Sequence, residues 1–411
     1  MRQHITAIAA ILFSTLIFLM GNGLLGTLTP VRGHLAGFSE LAIGIIGSAY
    51  YGGFVLGCYA GPRLLRRIGH IRTFSVAAGI AATSTLLQPM AVDVTAWILA
   101  RVLFGFAAAG LFMAIESWLN DRATNETRGF VFSSYMAVNY GGLVIGQGFF
   151  VTGAPESFEL FNLAAIFYAA CLIPVALTRL PQPSPPSELR MRPLRIFKIA
   201  PVGVAGCAAV GFANGAVWTL APLYAQNHGL KHGLLALFMI VFTLGGALMQ
   251  VPAGRLSDRT DRRVLIAAIC LGAAVLGVAL ARFGGRGPAT ALILMALLGA
   301  VVLPLYGLSV AHANDRLPRA DFIEASATLL LINALAAVIG PTFAAFVMAL
   351  AGTEALFLVT ASTHMALALF TIVRMRMKEP PPDETREPFA PLPQQASPAA
   401  LELDPRGPEA A

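Results

Sequence analysis

Asn22-Gly23-Leu24-Leu25-Gly26-Thr27-Leu28-Thr29-Pro30 returns 192 residues later as Asn214-Gly215-Ala216-Val217-Trp218-Thr219-Leu220-Ala221-Pro222. Asn-Gly, Thr-Leu and Pro keep their spacing, and both copies end long apolar runs. Further matches follow in the same order. Arg63-Leu64 and Arg67 match Arg255-Leu256 and Arg259, Asn120-Asp121-Arg122 matches Asn314-Asp315-Arg316, and Val144-Ile145-Gly146 matches Val338-Ile339-Gly340, with Asn139 opposite Asn333. The offsets are 192 or 194 residues in a chain of 411, so one half is written twice.

Composition sets the class. Hydrophobic residues are 57% of the chain and charged ones 12%, against about 25% charged in a soluble domain. Twelve nearly uncharged runs lie near 5–31, 41–62, 73–92, 94–117, 129–153, 160–178, 199–225, 233–254, 264–281, 288–311, 325–350 and 355–373. Helices of about 20 residues cross the hydrocarbon core. Barrel strands would be about half as long and would alternate in polarity. Because backbone groups in lipid must pair internally, the expectation is an all-α integral membrane protein. It would have twelve spanning helices in two pseudo-symmetric six-helix bundles, 1–179 and 196–375. Internal doubling of this kind points to a transporter, in which two related bundles rock about a central site.

The charges test that count. With the amino terminus inside, the inner connections carry Arg63, Arg66, Arg67, Arg72, Arg122, Arg128, the arginines from Arg179 to Arg195, Arg255 to Arg263, Arg316 and Arg319. The outer ones hold only Arg32, Lys231, Arg282 and Arg286. This bias places both termini in the cytoplasm and accounts for the net charge of +7. The arginines flank membrane runs and carry no nucleic-acid module around them. The first run is too long for a signal-peptide core, has no Ala-x-Ala site before Arg32, and is expected to be retained. Cys58, Cys171, Cys207 and Cys270 sit inside apolar runs without metal or redox spacing, so no metal site and no cofactor are expected.

Two segments read as non-membrane. Residues 180–195, with five prolines, form the linker between halves. Residues 376–411 form a cytoplasmic tail with nine prolines from Pro380 onward. Such a composition cannot build a core of its own and reads as disordered.

Gly254-Arg255-Leu256-Ser257-Asp258-Arg259-Thr260-Asp261-Arg262-Arg263 resembles motif A of the major facilitator superfamily, G-x-L-x-D-R-x-G-R-R, with Asp261 at the glycine position. The resemblance implies a conformational lock built from Gly254, Asp258, Arg259, Arg262 and Arg263. The first-half copy keeps Arg63, Arg67 and Gly69 but has Arg66 where the aspartate belongs. Arg101-Val102-Leu103-Phe104-Gly105 looks like motif B. Gly141-Gly142-Leu143-Val144-Ile145-Gly146 resembles motif C only loosely. The plainer reading of Gly141, Gly142, Gly146, Gly340 and Pro341 is close helix packing. Glu116-Ser117-Trp118-Leu119-Asn120 and Ser309-Val310-Ala311-His312-Ala313-Asn314-Asp315-Arg316 look like signatures of one bacterial subfamily. The superfamily resemblance implies a monomer in the bacterial inner membrane and a solute site between the halves.

The same resemblance implies a cavity lined by the first, fourth, seventh and tenth runs, which would present Asn22, Thr27, Arg101, Asn214, Trp218 and Thr219 to a small-molecule substrate. A charge in a membrane helix is costly by a few kcal/mol. Arg101 therefore either faces the cavity or snorkels outward. The paired asparagines either bind solute or stabilise a glycine-softened helix. Glu116 is the carboxylate set well inside a run. It and His312 are candidates for proton coupling, or for structural pairing, with Arg316 or Arg319 in the case of Glu116. No P-loop or hydrolytic constellation appears, so the chain is not expected to be an enzyme or ATP-driven. The leading expectation is a secondary transporter of a small organic solute (a sugar, metabolite or drug), driven by its own gradient or by protons. The other classes left open are a sensor or scaffold signalling through the tail and a lipid-handling protein.

Overall fold

A computed structural model of the chain describes residues 2–124, 126–178, 183, 191–318, 321–379, 389–393, 395–397 and 399–400. Fifteen α-helices follow one another: α1 Arg2–Leu35, α2 Glu40–Ile68, α3 His70–Met90, α4 Val94–Arg122, α5 Arg128–Gly148, α6 Glu159–Ala170, α7 Leu172–Ala176, α8 Pro193–Ile199, α9 Pro201–Asn227, α10 Gly233–Arg259, α11 Arg262–Phe283, α12 Pro288–Val302, α13 Leu305–Asn314, α14 Phe322–Ala351 and α15 Ala355–Met377. No strand occurs among the described residues.

Local chemistry sets the helix ends. The Ser39 hydroxyl accepts the Ala42 N–H at the start of α2, and the Asp93 carboxylate accepts the Ala96 N–H at the start of α4, as N-caps do. Gly69 ends α2 with φ 81°, a left-handed conformation that favours glycine. Two of the apolar runs are each broken into two helices. The sixth breaks at Cys171, where Ser14 Oγ donates to the Cys171 carbonyl over 2.7 Å. The tenth breaks at Leu303-Pro304, because proline lacks the N–H that would continue the ladder.

Among the described residues ten helices, counting each broken pair as one, are long and apolar enough to cross a membrane. The third and fifth runs, α3 and α5, are not among them. The α3 helix carries His70, Thr73, Ser84, Thr85 and Gln88; α5 carries Asn139 and Gln147 beside five glycines. Large apolar side chains point outward around the molecule, Phe130 at 75% and Leu248 at 76% exposure among them. An apolar surface of that kind suits lipid, not water.

The repeat reappears as packing. A Cβ at Gly146 would sit 2.1 Å from the Met20 carbonyl oxygen, joining α5 to α1, and one at Gly340 would sit 2.0 Å from the Phe212 carbonyl oxygen, joining α14 to α9. Gly53 and Gly105 meet Val102 and Tyr50 between α2 and α4, as Gly245 and Gly299 meet Ala296 and Phe242 between α10 and α12. Each partner in these contacts lies 192 or 194 positions from its counterpart. Gly142 also packs on α1, against Leu19, and the Pro341 carbonyl lies against Gly44 of α2. Gly141 departs from its expected packing role: nothing lies within 4 Å of where its Cβ would be. It is one residue, and hence about 100°, off the contact stripe.

Helices α1–α7 pack chiefly on one another, as do α9–α15, and the two sets meet along α2–α14, α5–α10 and α1–α9. Polar bridges stitch the seam. Ser48 and Thr342 hydroxyls meet at 2.7 Å, the Gln147 amide and Thr243 hydroxyl at 3.1 Å, and the Gln250 amide donates to Tyr140 Oη over 2.7 Å. The linker end is tied to α14 by Arg195–Asp321 at 2.7 Å and Arg192–Glu324 at 3.4 Å. Of the expected tail, residues 380–388, 394, 398 and 401–411 lie outside the described residues, while Ala390, Leu392, Ala396, Ser397, Ala399 and Ala400 are buried.

Candidate functional site

A cavity of about 130 Å³ lies on the seam between the two helix sets. Asn22, Thr27, Thr29, Arg101, Trp218 and Thr219 line it, with Tyr50, Tyr51, Phe104, Asn139, Tyr140 and Gln147. Of the six residues expected at a solute site, five are brought together here. Their roles differ. The Thr27 hydroxyl donates back to the Gly23 carbonyl of its own helix. Trp218 stands edge-on to Phe242, with centroids 5.1 Å apart, and forms a rigid wall.

Arg101 does not snorkel. It is 8% exposed, and its guanidinium lies 4.7 Å from the Tyr50 ring centroid and 5.2 Å from that of Phe104. Aromatic faces stabilise a cation by their quadrupole but satisfy none of its N–H donors. Among the described residues no acidic side chain pairs with Arg101, and its Nε is buried without an acceptor. Asn22 adds a second orphan. Its Oδ1 accepts from Tyr168 Oη over 3.2 Å, while its Nδ2 is buried with no partner among the described residues.

Asn214 does not line the cavity, contrary to the sequence expectation. Its Nδ2 points to the Val302 carbonyl at 3.5 Å, where α12 ends before Pro304. The counterpart of Pro304, 194 residues earlier, is Gly110, and α4 runs unbroken through it. An intact helix keeps its carbonyls within its own ladder, so Asn22 faces the cavity instead. The substitutions should separate accordingly. Asn214→Ala is expected to lower stability by about 1 kcal/mol through the lost hydrogen bond and leave solute affinity unchanged. Asn22→Ala loses the hydrogen bond from Tyr168 and is expected to cost about as much stability, but in addition to weaken solute binding several-fold. Melting curves with and without solute would decide, and equal loss of affinity in both variants would refute the assignment.

Glu116 is fully buried but lies outside the cavity lining. Tyr135 Oη donates to its Oε1 over 2.6 Å, and the Ser397 N–H donates to its Oε2 over 2.8 Å. The Ser397 hydroxyl also donates to Oε2. These donors replace the inner-loop arginine that sequence reasoning offered; Arg316 instead donates to the Glu379 carbonyl, and Arg319 lies outside the described residues. His312 is buried beside Arg316, Arg263, Asp261 and Arg262, not in the cavity.

The motif A loop is tied mainly within its own half. Asp258 accepts from Arg262 over 3.3 Å, and Arg262 also pairs with buried Asp315 at 3.3 Å. Arg263 grips Asp261 at 2.8 Å and donates to the Lys378 carbonyl. Burial would raise the Asp261 carboxyl, but the hydrogen bonds from Arg263 outweigh it and hold it below its ordinary 3.8. Because the folded value is depressed, the stabilisation is complete at neutral pH and is lost only as pH falls through that lowered value. Arg259 and Arg67 are exposed, and Arg63 stacks on Tyr59 at 4.7 Å.

Sequence reasoning did not single out Tyr50, Tyr51 or Tyr140. Tyrosines in apolar runs read equally as core or interface residues, and only their convergence on one cavity separates them. The tail residues Pro393 and Gln395, which also line the cavity, carried no such signal.

Comparison with known proteins agrees with this architecture. The Major Facilitator Superfamily profile matches residues 11–319 and again residues 203–405. An uncharacterised MFS-type transporter of Enterobacter sp. (strain 638) is 27% identical over 388 residues, covering 93% of this chain and 99% of the relative. A similarly uncharacterised relative from Salmonella arizonae, YcaD, is 26% identical over 378 residues, covering 90% and 97%. Among solved structures, the nucleoside transporter NupG superposes with a TM-score of 0.75 at 14% identity, covering 92% of this chain and all of the other. A D-xylose–proton symporter superposes with a TM-score of 0.68 at 17% identity, covering 90% and 96%. Profile, relatives and architecture agree: the chain belongs to the major facilitator superfamily, a family of transporters rather than enzymes.

Proposed function

We propose that this protein is a secondary transporter that carries a small organic solute through the seam cavity by alternating access. One observation carries the reading. A largely apolar cavity between two repeated helix sets, with Tyr50, Tyr51, Phe104, Tyr140 and Trp218 in its wall, holds two donors with no acceptor among the described residues, Asn22 Nδ2 and Arg101 Nε. Buried donors without acceptors are costly, and a bound solute oxygen would supply the acceptor. The preferred solute presents an anionic or strongly polarised oxygen to Arg101 and Asn22, and a flat or apolar face to Tyr50, Phe104 and Trp218.

In this reading all twelve apolar runs cross the bacterial inner membrane as two six-helix bundles, with both termini cytoplasmic and the protein a monomer. The polar α3 and α5 are spans whose polar groups face protein instead of lipid. Motif A stabilises the closed inner face when Asp258 is free to engage the other half. Glu116 is the group through which protons would couple to transport.

The test is thermal stabilisation of the purified protein across a library of metabolites, nucleosides, sugars and drugs, at mildly acidic and mildly alkaline pH. A ligand raises the melting temperature by mass action. The expected result is a set of hits that share an oxygen acceptor beside a ring. A pH dependence lost in Glu116→Gln is the result expected of proton coupling through Glu116. An intact sample stabilised by nothing in a broad library would overturn the transport reading.

A further inference from the structure

The tail contains a stretch of twelve residues, Phe389 to Ala400, without a single charge, while Glu384, Arg386 and Glu387 precede it and Glu402, Asp404 and Arg406 follow it. Three of the twelve are proline. Such a segment suits a buried seat. It brings no charge to desolvate, prolines favour an extended backbone, and each proline removes one N–H that would need a partner.

The described part of this stretch runs from the second half to the first. The Phe389 N–H donates to Asp258 Oδ1 over 2.8 Å. Its ring lies against Gly254, where a Cβ would come within 2.3 Å of it, and against Gly307, where a Cβ would come within 3.1 Å. Midway, Tyr50 Oη donates to Gln395 Oε1 over 3.2 Å. At the far side Ser397 gives Glu116 both its N–H and its hydroxyl, and accepts the Ala399 N–H over 3.1 Å. Ser397 and Glu116 are both fully buried.

We infer that the passage between motif A and Glu116 is a peptide-binding site for this chain's own tail, with Glu116 as the receptor for Ser397 and Gly254 and Gly307 as the seat of Phe389. A buried carboxylate without a cation needs hydrogen-bond donors, and Ser397 gives Glu116 two of them. The seated tail also occupies Asp258, the acid of the proposed lock, and lines the solute cavity through Pro393 and Gln395. A solute larger than the space left beside Pro393 and Gln395 must therefore displace the tail, and the tail must leave before motif A can close. That competition rests on the transport reading; the seating of the tail does not.

Hydrogen–deuterium exchange of the full-length protein in lipid nanodiscs tests the inference. The probe for comparison is a synthetic peptide of residues 389–400 free in solution. In the wild type the segment is expected to exchange about a hundredfold more slowly than the peptide, as closed structure does, at any protein concentration. Ser397→Glu places a second carboxylate against Glu116. It is expected to bring the segment to the peptide's rate while the helices stay protected. A wild-type segment that exchanges like the free peptide would overturn the inference. So would protection that vanishes on dilution, which would assign the seat to the tail of a second copy, and so would an unchanged segment in Ser397→Glu. Any solute that must displace the tail is expected to bind Ser397→Glu about a hundredfold more tightly than wild type, because hundredfold protection means that the tail is seated in about 99% of molecules. A protected tail with no solute found would leave the tail site standing and remove only the transport reading.

Discussion

Replacing Arg101 by alanine is expected to weaken solute binding about 10- to 100-fold while barely changing the melting temperature of the solute-free protein. A hydrogen bond to a charged group contributes about 1.5–3 kcal/mol, and each 1.4 kcal/mol is about tenfold in affinity. The solute-free protein loses the stacking on Tyr50 and Phe104, worth about 0.5–2 kcal/mol. It also loses a buried cation without an acidic partner, and removing such a charge offsets that loss. Arg101→Lys is expected to fall between, because it keeps the charge but loses the planar fork that both stacks and donates. The measurement is the midpoint of solute-dependent stabilisation in the three proteins. If alanine binds solute within twofold of wild type, the cavity is not the solute site.

Gly146→Ala is the second large effect, and its control lies five residues away in the same helix. A Cβ at Gly146 would sit 2.1 Å from the Met20 carbonyl oxygen, which belongs to backbone and cannot rotate away. The pair α1–α5 must separate, and overpacking of this kind costs about 1–3 kcal/mol. Gly141→Ala meets nothing within 4 Å, so it gains the usual helix preference of alanine over glycine, about 0.5–1 kcal/mol. The same substitution should therefore lower the melting temperature at one position and raise it at the other. Gly340→Ala should follow Gly146→Ala, since its Cβ would sit 2.0 Å from the Phe212 carbonyl oxygen. If Gly146→Ala and Gly141→Ala shift the melting temperature alike, the helix contact is misplaced.

Much of the helical order is legible in the sequence because it depends on local quantities. Run length, the scarcity of charge and the position of loop arginines are properties of short stretches, and the bilayer reads them one stretch at a time. The repeat is legible because its glycines are spaced by contact geometry. A carbonyl oxygen of the neighbouring helix stands where a side chain would begin at Gly146 and at Gly340, so both halves carry the same letter there. Other assignments fail because they depend on azimuth or on a distant neighbour. Gly141 and Gly142 are adjacent letters on different faces of α5. His312, a coupling candidate by sequence, lies outside the cavity lining, buried near Arg316 and the arginines of the motif A loop.

The chain by itself determined a doubled, helical membrane protein and brought Arg101, Asn22, Thr27, Trp218 and Thr219 toward one site, because each follows from the pattern along a single run. Only the tertiary structure decided which asparagine is left with a free donor. That depends on Pro304, which ends α12 and hands the Val302 carbonyl to Asn214, while Gly110 lets α4 continue and leaves Asn22 to the cavity. Only the tertiary structure, too, decided where the tail goes. A charge-free, proline-rich segment cannot build a core, and composition says no more than that. Whether it stays in water depends on another part of the chain holding a buried carboxylate in need of donors, and Glu116 meets Ser397 across 281 positions of sequence.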